Sequence, residues 1–252
     1  MSIFFKSKSK KKRQWYEQAG EMVESLGIAL IMALIIKTSI VEAYKIPSGS
    51  MENTLLVGDF LLANKFVYGM KLPIPFTNIK LPAIENPRPG DIIIFKYPRD
   101  LSINYIKRCV AIEGQTVEIK NKKLYVDGVQ MPLPPEGKFA DRQIAPYHKD
   151  PAGDMTWGLG IRDNMPPRVV PEGYLFVMGD NRDNSADSRF WGFLDRRLVM
   201  GRAMMIHWSW APDPMAPDVN AGDLFSIPKM VGYNIWHFPQ RVRWDRLADV
   251  IH

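Results

Sequence analysis

The 252-residue chain holds a single cysteine, Cys109, so it forms no internal disulfide whatever compartment it occupies. Its four histidines, His148, His207, His237 and His252, include no His-Glu-x-x-His and no close ligand pair, which argues against a zinc site. A glycine-rich phosphate loop is absent, and so is the Gly-x-Ser-x-Gly elbow of His-based serine hydrolases. Cys109 has no histidine near it in sequence and reads as a small buried apolar residue rather than a thiol nucleophile. Nothing in the sequence calls for a metal or cofactor. Acidic residues are missing from residues 1–13, where Lys6, Lys8, Lys10, Lys11, Lys12 and Arg13 stand. The remaining 27 basic residues match the 27 acidic ones, so the net charge of +6 belongs to that arm alone. A basic arm can bind nucleic acid, but one placed before an apolar segment fits the cytoplasmic face of a membrane, and no nucleic-acid partner is expected.

Long apolar runs are scarce too. Ser25–Ile36 carries no charge, and if Lys37 is tolerated the run reaches Val41, 17 residues or about 25 Å of helix. A hydrocarbon core of about 30 Å is slightly thicker, so a span here needs local thinning or a snorkelling Lys37. A cleavable signal peptide would look similar, but Val41-Glu42-Ala43 and Tyr44-Lys45-Ile46 are poor cleavage sites. The reading is a basic cytoplasmic tail over 1–21 and a retained transmembrane anchor over 22–43. No second run follows, which places the rest on the far side of the membrane.

The whole chain is 46% hydrophobic and 24% charged, enough for one sizeable core or a core with a smaller appendage. Short alternating segments predict strands at 59–63, 91–97, 105–112, 116–120, 123–126, 174–178 and 198–208, with Pro89-Gly90-Asp91 and Asp127-Gly128 as turns. The expected fold class is mainly β, with a first core part at 44–130 and a second at 172–230. Between them 131–171 is rich in Pro, Gly and charge and reads as an inserted subdomain. The tail 231–252 carries a helical stripe in Val242, Leu247, Val250 and Ile251, which either packs on the domain or lies on anionic lipid.

The chemistry is suggested by Pro47-Ser48-Gly49-Ser50-Met51, just after the apolar run, and by Lys107 within Tyr105–Ile112. A serine hydroxyl is a weak nucleophile until a base takes its proton, and a lysine serves only when burial lowers its pKa. Alternation places Lys107 on one face with Tyr105, Cys109 and Ala111, where it is poorly solvated. Gly49 permits a tight backbone that exposes Ser50. Together these suggest a Ser/Lys hydrolase at a membrane surface.

Four blocks in order, 46–55, 58–62, 105–108 and Gly179-Asp180-Asn181-Arg182-Asp183-Asn184-Ser185-Ala186-Asp187-Ser188-Arg189-Phe190-Trp191-Gly192, resemble bacterial signal peptidase I, a membrane-anchored serine peptidase family. The resemblance runs from the anchor to about Trp208. It implies two antiparallel β-sheet regions, with Ser50 as nucleophile and Lys107 as general base. It also implies an oxyanion hole of the Ser50 N–H and the Ser48 hydroxyl, and Ser185 orienting the lysine. Asp180 with Arg108 and Asp187 with Arg189 become supporting ion pairs. Ile46, Met51 and Ile106 become walls of shallow pockets for Ala-x-Ala-like sites, with Met51 facing the bilayer surface. The implied partners are signal-peptide-bearing precursors, membrane lipid and the nearby export translocon. The implied location is the cytoplasmic membrane, single-pass, with the catalytic domain outside.

Blander readings stand beside these: Ser48 as a turn hydroxyl, Met51 and Ile106 as core filler, the 180–189 block as a solvated loop. A calcium loop fails there, because Ser188 stands where the sixth position needs Gly. A self-cleaving repressor-type peptidase would need an N-terminal DNA-binding domain, and a secreted binding module would leave Ser50 and Lys107 inert.

Overall fold

The structure is a computed structural model that describes residues 18–30, 32, 41–69, 82–145, 159–217, 219, 222 and 225–251. The basic arm, residues 31 and 33–40 of the expected anchor, and 146–158 of the expected insertion lie outside the described residues. Residues 18–30 are helical, and their large apolar side chains, Leu26 and Leu30 among them, are exposed. Among the described residues no helix is long and apolar enough to cross a membrane.

Among the described residues twelve strands form two antiparallel sheets, in agreement with the mainly β expectation. The larger runs β1 (Val41–Lys45), β2 (Asp59–Asn64), β11 (Val199–Ser209), β3 (Ile92–Tyr97), β4 (Asp100–Ile112), β9 (Tyr174–Met178), β10 (Leu194–Asp195), with β12 (Asp249–Val250) added on β11. The smaller runs β7 (Val129–Gln130), β6 (Lys123–Val126), β5 (Thr116–Lys120), β8 (Met165–Val169). Asp127 and Gly128 both have positive φ, which is what a two-residue hairpin joining β6 to β7 requires.

Three boundaries differ from the sequence reading. The strand β1 starts at Val41, inside the 22–43 anchor assignment, because Val41–Lys45 pairs residue by residue with Asn64–Phe60. The 131–171 segment is not wholly an insertion: its β8 completes the small sheet against β5. The 239–251 stripe is not a helix either. Helices span Ser226–Trp236 and Phe238–Arg241, after which Val242 bridges Trp210 and β12 pairs with β11.

The core has three parts. One lies between the sheets, where Val110, Ala111 and Phe176 meet Val117, Ile119 and Leu124. A second packs Ile93, Phe95, Cys109 and Val177 on one face of the large sheet. The third sets Ile46, Met51 and Leu55 against Leu61, Ile92, Ile94 and Ile206. That third cluster carries the turn bearing Ser50.

Candidate active site

Ile46 is tied to the start of β2 by its N–H to the Asp59 carbonyl at 2.8 Å and its carbonyl to the Gly58 N–H at 3.0 Å. The chain then bends through Pro47 and Ser48 into a single 3-10 turn, Gly49–Met51. Burial of Met51 alone is worth about 1.5–3 kcal/mol, against roughly 1 kcal/mol net for one hydrogen bond, so apolar anchoring dominates. Hydrogen bonds then set the orientation. The Asn181 N–H donates to the Ser50 carbonyl at 3.1 Å, and its side-chain amide donates to the Gly49 carbonyl at 3.1 Å and to Glu52 at 3.2 Å. Gly179 allows this approach: a Cβ there would lie 2.4 Å from the Ser50 carbonyl oxygen and 2.3 Å from Ser185 Oγ.

Lys107 enters from β4, paired with Ile93. Its Nζ lies 2.7 Å from Ser50 Oγ, 3.0 Å from the Ile106 carbonyl and 5.0 Å from the centre of the Tyr105 ring. As an ammonium it donates to Ser50; as a neutral amine it accepts the serine proton. The residue is 4% exposed, and burial pushes its pKa down to about 8, with Asp187 and Asp180 pulling up and Arg189 pulling down. Cys109 shares this face as expected and is fully buried, its thiol pushed up to about 12 by burial. Ala111 does not share it. A bulge between Cys109 and Ala111 sends Ala111 to the opposite face, beside Phe176.

The two expected ion pairs form, both buried. Arg108 grips Asp180 with Nε at 2.9 Å and Nη2 at 2.7 Å, and Thr54 Oγ1 adds a hydrogen bond to the same carboxylate at 2.6 Å. Arg189 grips Asp187 with Nε and Nη2 at 2.8 Å each, and the Gly179 N–H donates to Asp187 at 3.1 Å. Burial raises the Asp187 carboxyl, yet Arg189 and these hydrogen bonds outweigh it and hold the carboxyl below the usual range. Ser185 departs from expectation. Its Oγ is buried beside Asp187 and close enough to favour that carboxylate, but it makes no hydrogen bond of sound geometry, and none to Lys107.

Ser50 and Lys107 open into a cleft of about 600 Å³, lined on one side by residues 42–51 and on the other by 103–107, with Asn184 and Ala186. Ser48 is exposed there, and its hydroxyl does not cap the turn. Ile46, Met51 and Ile106 line the cleft and also pack into the core beneath it, so the two readings are compatible. Met51 is 2% exposed and receives the Asp180 N–H at its sulfur, so it does not face a bilayer surface.

Two features escaped sequence reading. One is the Asn181 amide that ties down the Ser50 turn. The other is Asp59, fully buried at the base of the 46–58 loop, with Arg246 at 2.8 Å, Arg243 at 3.3 Å and Ser209 Oγ at 2.7 Å. Long-range polar pairing leaves no periodic signal, although Gly58-Asp59 stood inside one of the matching blocks.

A serine hydroxyl against a buried lysine in an open cleft defines a site of the Ser/Lys hydrolase class. The family model "Signal peptidase, peptidase S26" matches residues 19–208, and the chain belongs to that family. Relatives named signal peptidase I agree. The one from Pseudomonas aeruginosa is 37% identical over 73% of this chain and 70% of its own length. The one from Aquifex aeolicus is 34% identical over 84% of this chain and 92% of its own. A crystal structure of a signal peptidase I from Enterococcus faecalis covers 47% of this chain and 97% of that chain at 28% identity, with a TM-score of 0.33. The chain is thus a serine endopeptidase of the signal-peptide-processing kind.

Proposed function

We propose that the chain cleaves precursors after Ala-x-Ala-like sites through Ser50 and Lys107. The observation that carries this is the 2.7 Å contact between Ser50 Oγ and a lysine nitrogen that burial pushes toward neutrality. Neutral Lys107 takes the Ser50 proton as Oγ attacks the scissile carbonyl, and the resulting ammonium passes a proton to the leaving amine. The acyl-enzyme ester is then hydrolysed by a water that Lys107 deprotonates. The Ser50 N–H and the exposed Ser48 hydroxyl stabilise the oxyanion. The substrate lies extended along the edge of β1, its small side chains meeting Ile46 and Ile106.

Asp180–Arg108 and Asp187–Arg189 hold the walls and set the field at Lys107, and Ser185 lies beside the Asp187 carboxylate. The segment before Val41 anchors the chain in the cytoplasmic membrane with its basic tail inside, and the catalytic domain meets precursors as they leave the bilayer beside the export translocon. Incubation with an exported precursor tests the reading: the chain cuts once, after Ala-x-Ala, and Ser50→Ala abolishes the cut. Cleavage at the same bond by Ser50→Ala refutes it.

A further inference from the structure

Next to Ser50 the lining of the cleft changes from strand to turn and loop, with Gly49 against Asn184. A Cβ on Gly49 would lie 3.9 Å from Asn184 Nδ2 and 3.6 Å from Glu52 Oε2, so Glu52 stands immediately behind the lip of the cleft. Its Oε2 takes both the Lys138 ammonium at 2.9 Å and the Asn181 side-chain amide at 3.2 Å, and the two charged side chains stay partly exposed. Lys138 comes from the 131–171 segment and is clamped at its backbone. Its N–H donates to the Asp180 carbonyl at 3.0 Å, and its carbonyl accepts from the Arg182 N–H at 2.9 Å. The ammonium is thus mounted on the same loop whose Asn181 holds the Ser50 carbonyl.

We propose that Lys138, steadied by Glu52, is a specificity residue for the part of the substrate released by the cut, favouring an acidic side chain among the first three residues after the scissile bond and disfavouring a basic one. The inference deepens the precursor-cleaving function above and rests on it. With the acyl half along β1, between Ile46 and Ile106, the amine half leaves on the other side of Ser50, over Gly49 and Asn184. An extended chain rises about 3.3 Å per residue, so three residues reach about 10 Å past the cut, far enough to meet a side chain as long as lysine. Two observations fix the sign of the preference. An ammonium carries three donors, and among the described residues Glu52 is the one charged partner of Lys138, so donors remain for a second carboxylate. Beneath it Arg182 is buried with no ion pair among the described residues and its Nε bonded to nothing, because Asp180 and Asp187 are held by Arg108 and Arg189. Burial pushes the Arg182 pKa down only to about 10, so the guanidinium stays charged near neutral pH and leaves this corner of the site with surplus positive charge. A carboxylate arriving there is attracted; an ammonium is repelled.

The test uses the full chain in detergent and Ala-x-Ala peptides that carry Glu, Lys or Ala in turn at the first, second and third positions after the cut. At one or more of these positions wild-type kcat/KM should be about three- to tenfold higher for Glu than for Lys, the scale expected of partly exposed charges. In Lys138→Met the ratio should fall to near one, and in Lys138→Glu it should invert; each ratio compares two peptides on one variant, so a general loss of rate does not disturb it. Equal rates for Glu and Lys at all three positions overturn the proposal, and so does a preference that survives intact in Lys138→Met. Placement is read separately by disulfide trapping under mild oxidation in Ser50→Ala/Lys138→Cys, where Cys109, the sole native cysteine, is fully buried. A peptide cysteine just after the scissile bond should couple several-fold faster than one three residues before it; equal or reversed rates overturn the placement. Wild-type chain that cuts not even the Ala peptide refutes the proposed function, and this inference with it.

Discussion

Lys107 is maintained at a cost to stability. Its pKa falls from 10.5 to about 8, so between those values the unfolded chain binds the proton and the folded chain does not. Stability therefore rises with pH across that window, and below about pH 8 the full penalty applies. Lys107→Met, which keeps the volume and removes the charge, should stabilise the fold by about 1–3 kcal/mol at pH 7, read by urea denaturation. Lys107→Arg separates charge from basicity: guanidinium stays protonated, so kcat should fall by about 10²–10⁴-fold although a cation is retained. For Ser48→Ala the expectation is a kcat lowered about 10²–10³-fold with KM little changed; an unaltered kcat returns Ser48 to the role of turn residue. At this scale the dyad was legible because both residues sit in short, chemically distinctive contexts. The Ser185 geometry and the Asn181 amide were not, since each depends on how a side chain from 179–189 meets a turn over 120 residues earlier.

Strands explain why Ser50 and Lys107 meet. Alternation foretold most of them, because each buries one face, but it could not foretell the bulge after Cys109, where the ladder slips and Ala111 changes sides. Nor could it read the tail. Val242 and Ile251 fit a helical stripe in sequence, yet Pro239 starts only a four-residue helix, and the chain then extends to pair with Trp210 and β11. What holds that tail is the buried Asp59, clasped by Arg243 and Arg246, the latter also donating to the Thr54 carbonyl at 2.9 Å. This clasp lies at the base of the loop that carries Ser50. Arg246→Met should cost about 1–3 kcal/mol in urea unfolding, since Arg243 and Ser209 still satisfy one carboxylate oxygen. No change in the unfolding midpoint would mean the clasp is ornamental.

As a whole the molecule is a β domain whose cleft opens along the edge of β1, with the chain entering that edge from the apolar segment before Val41. Because β1 begins at Val41, the truncation that spares the fold removes residues 1–40 and no more. Such a truncate should cleave a short peptide at nearly the full rate and process vesicle-inserted precursors more slowly, since tethering raises local concentration. Complete loss of peptide hydrolysis in the folded truncate would show that residues 1–40 shape the site itself. In the proposed mechanism, burial makes Lys107 a base for Ser50 near neutral pH. The pH profile of kcat/KM on a soluble peptide reports the free enzyme's titration and tests this most directly. The expected profile climbs tenfold per unit below pH 7 and levels off around a midpoint near 8, where the amine becomes neutral. A profile flat from pH 6 to 9, or one still climbing toward pH 10.5 as an unperturbed lysine would, contradicts it.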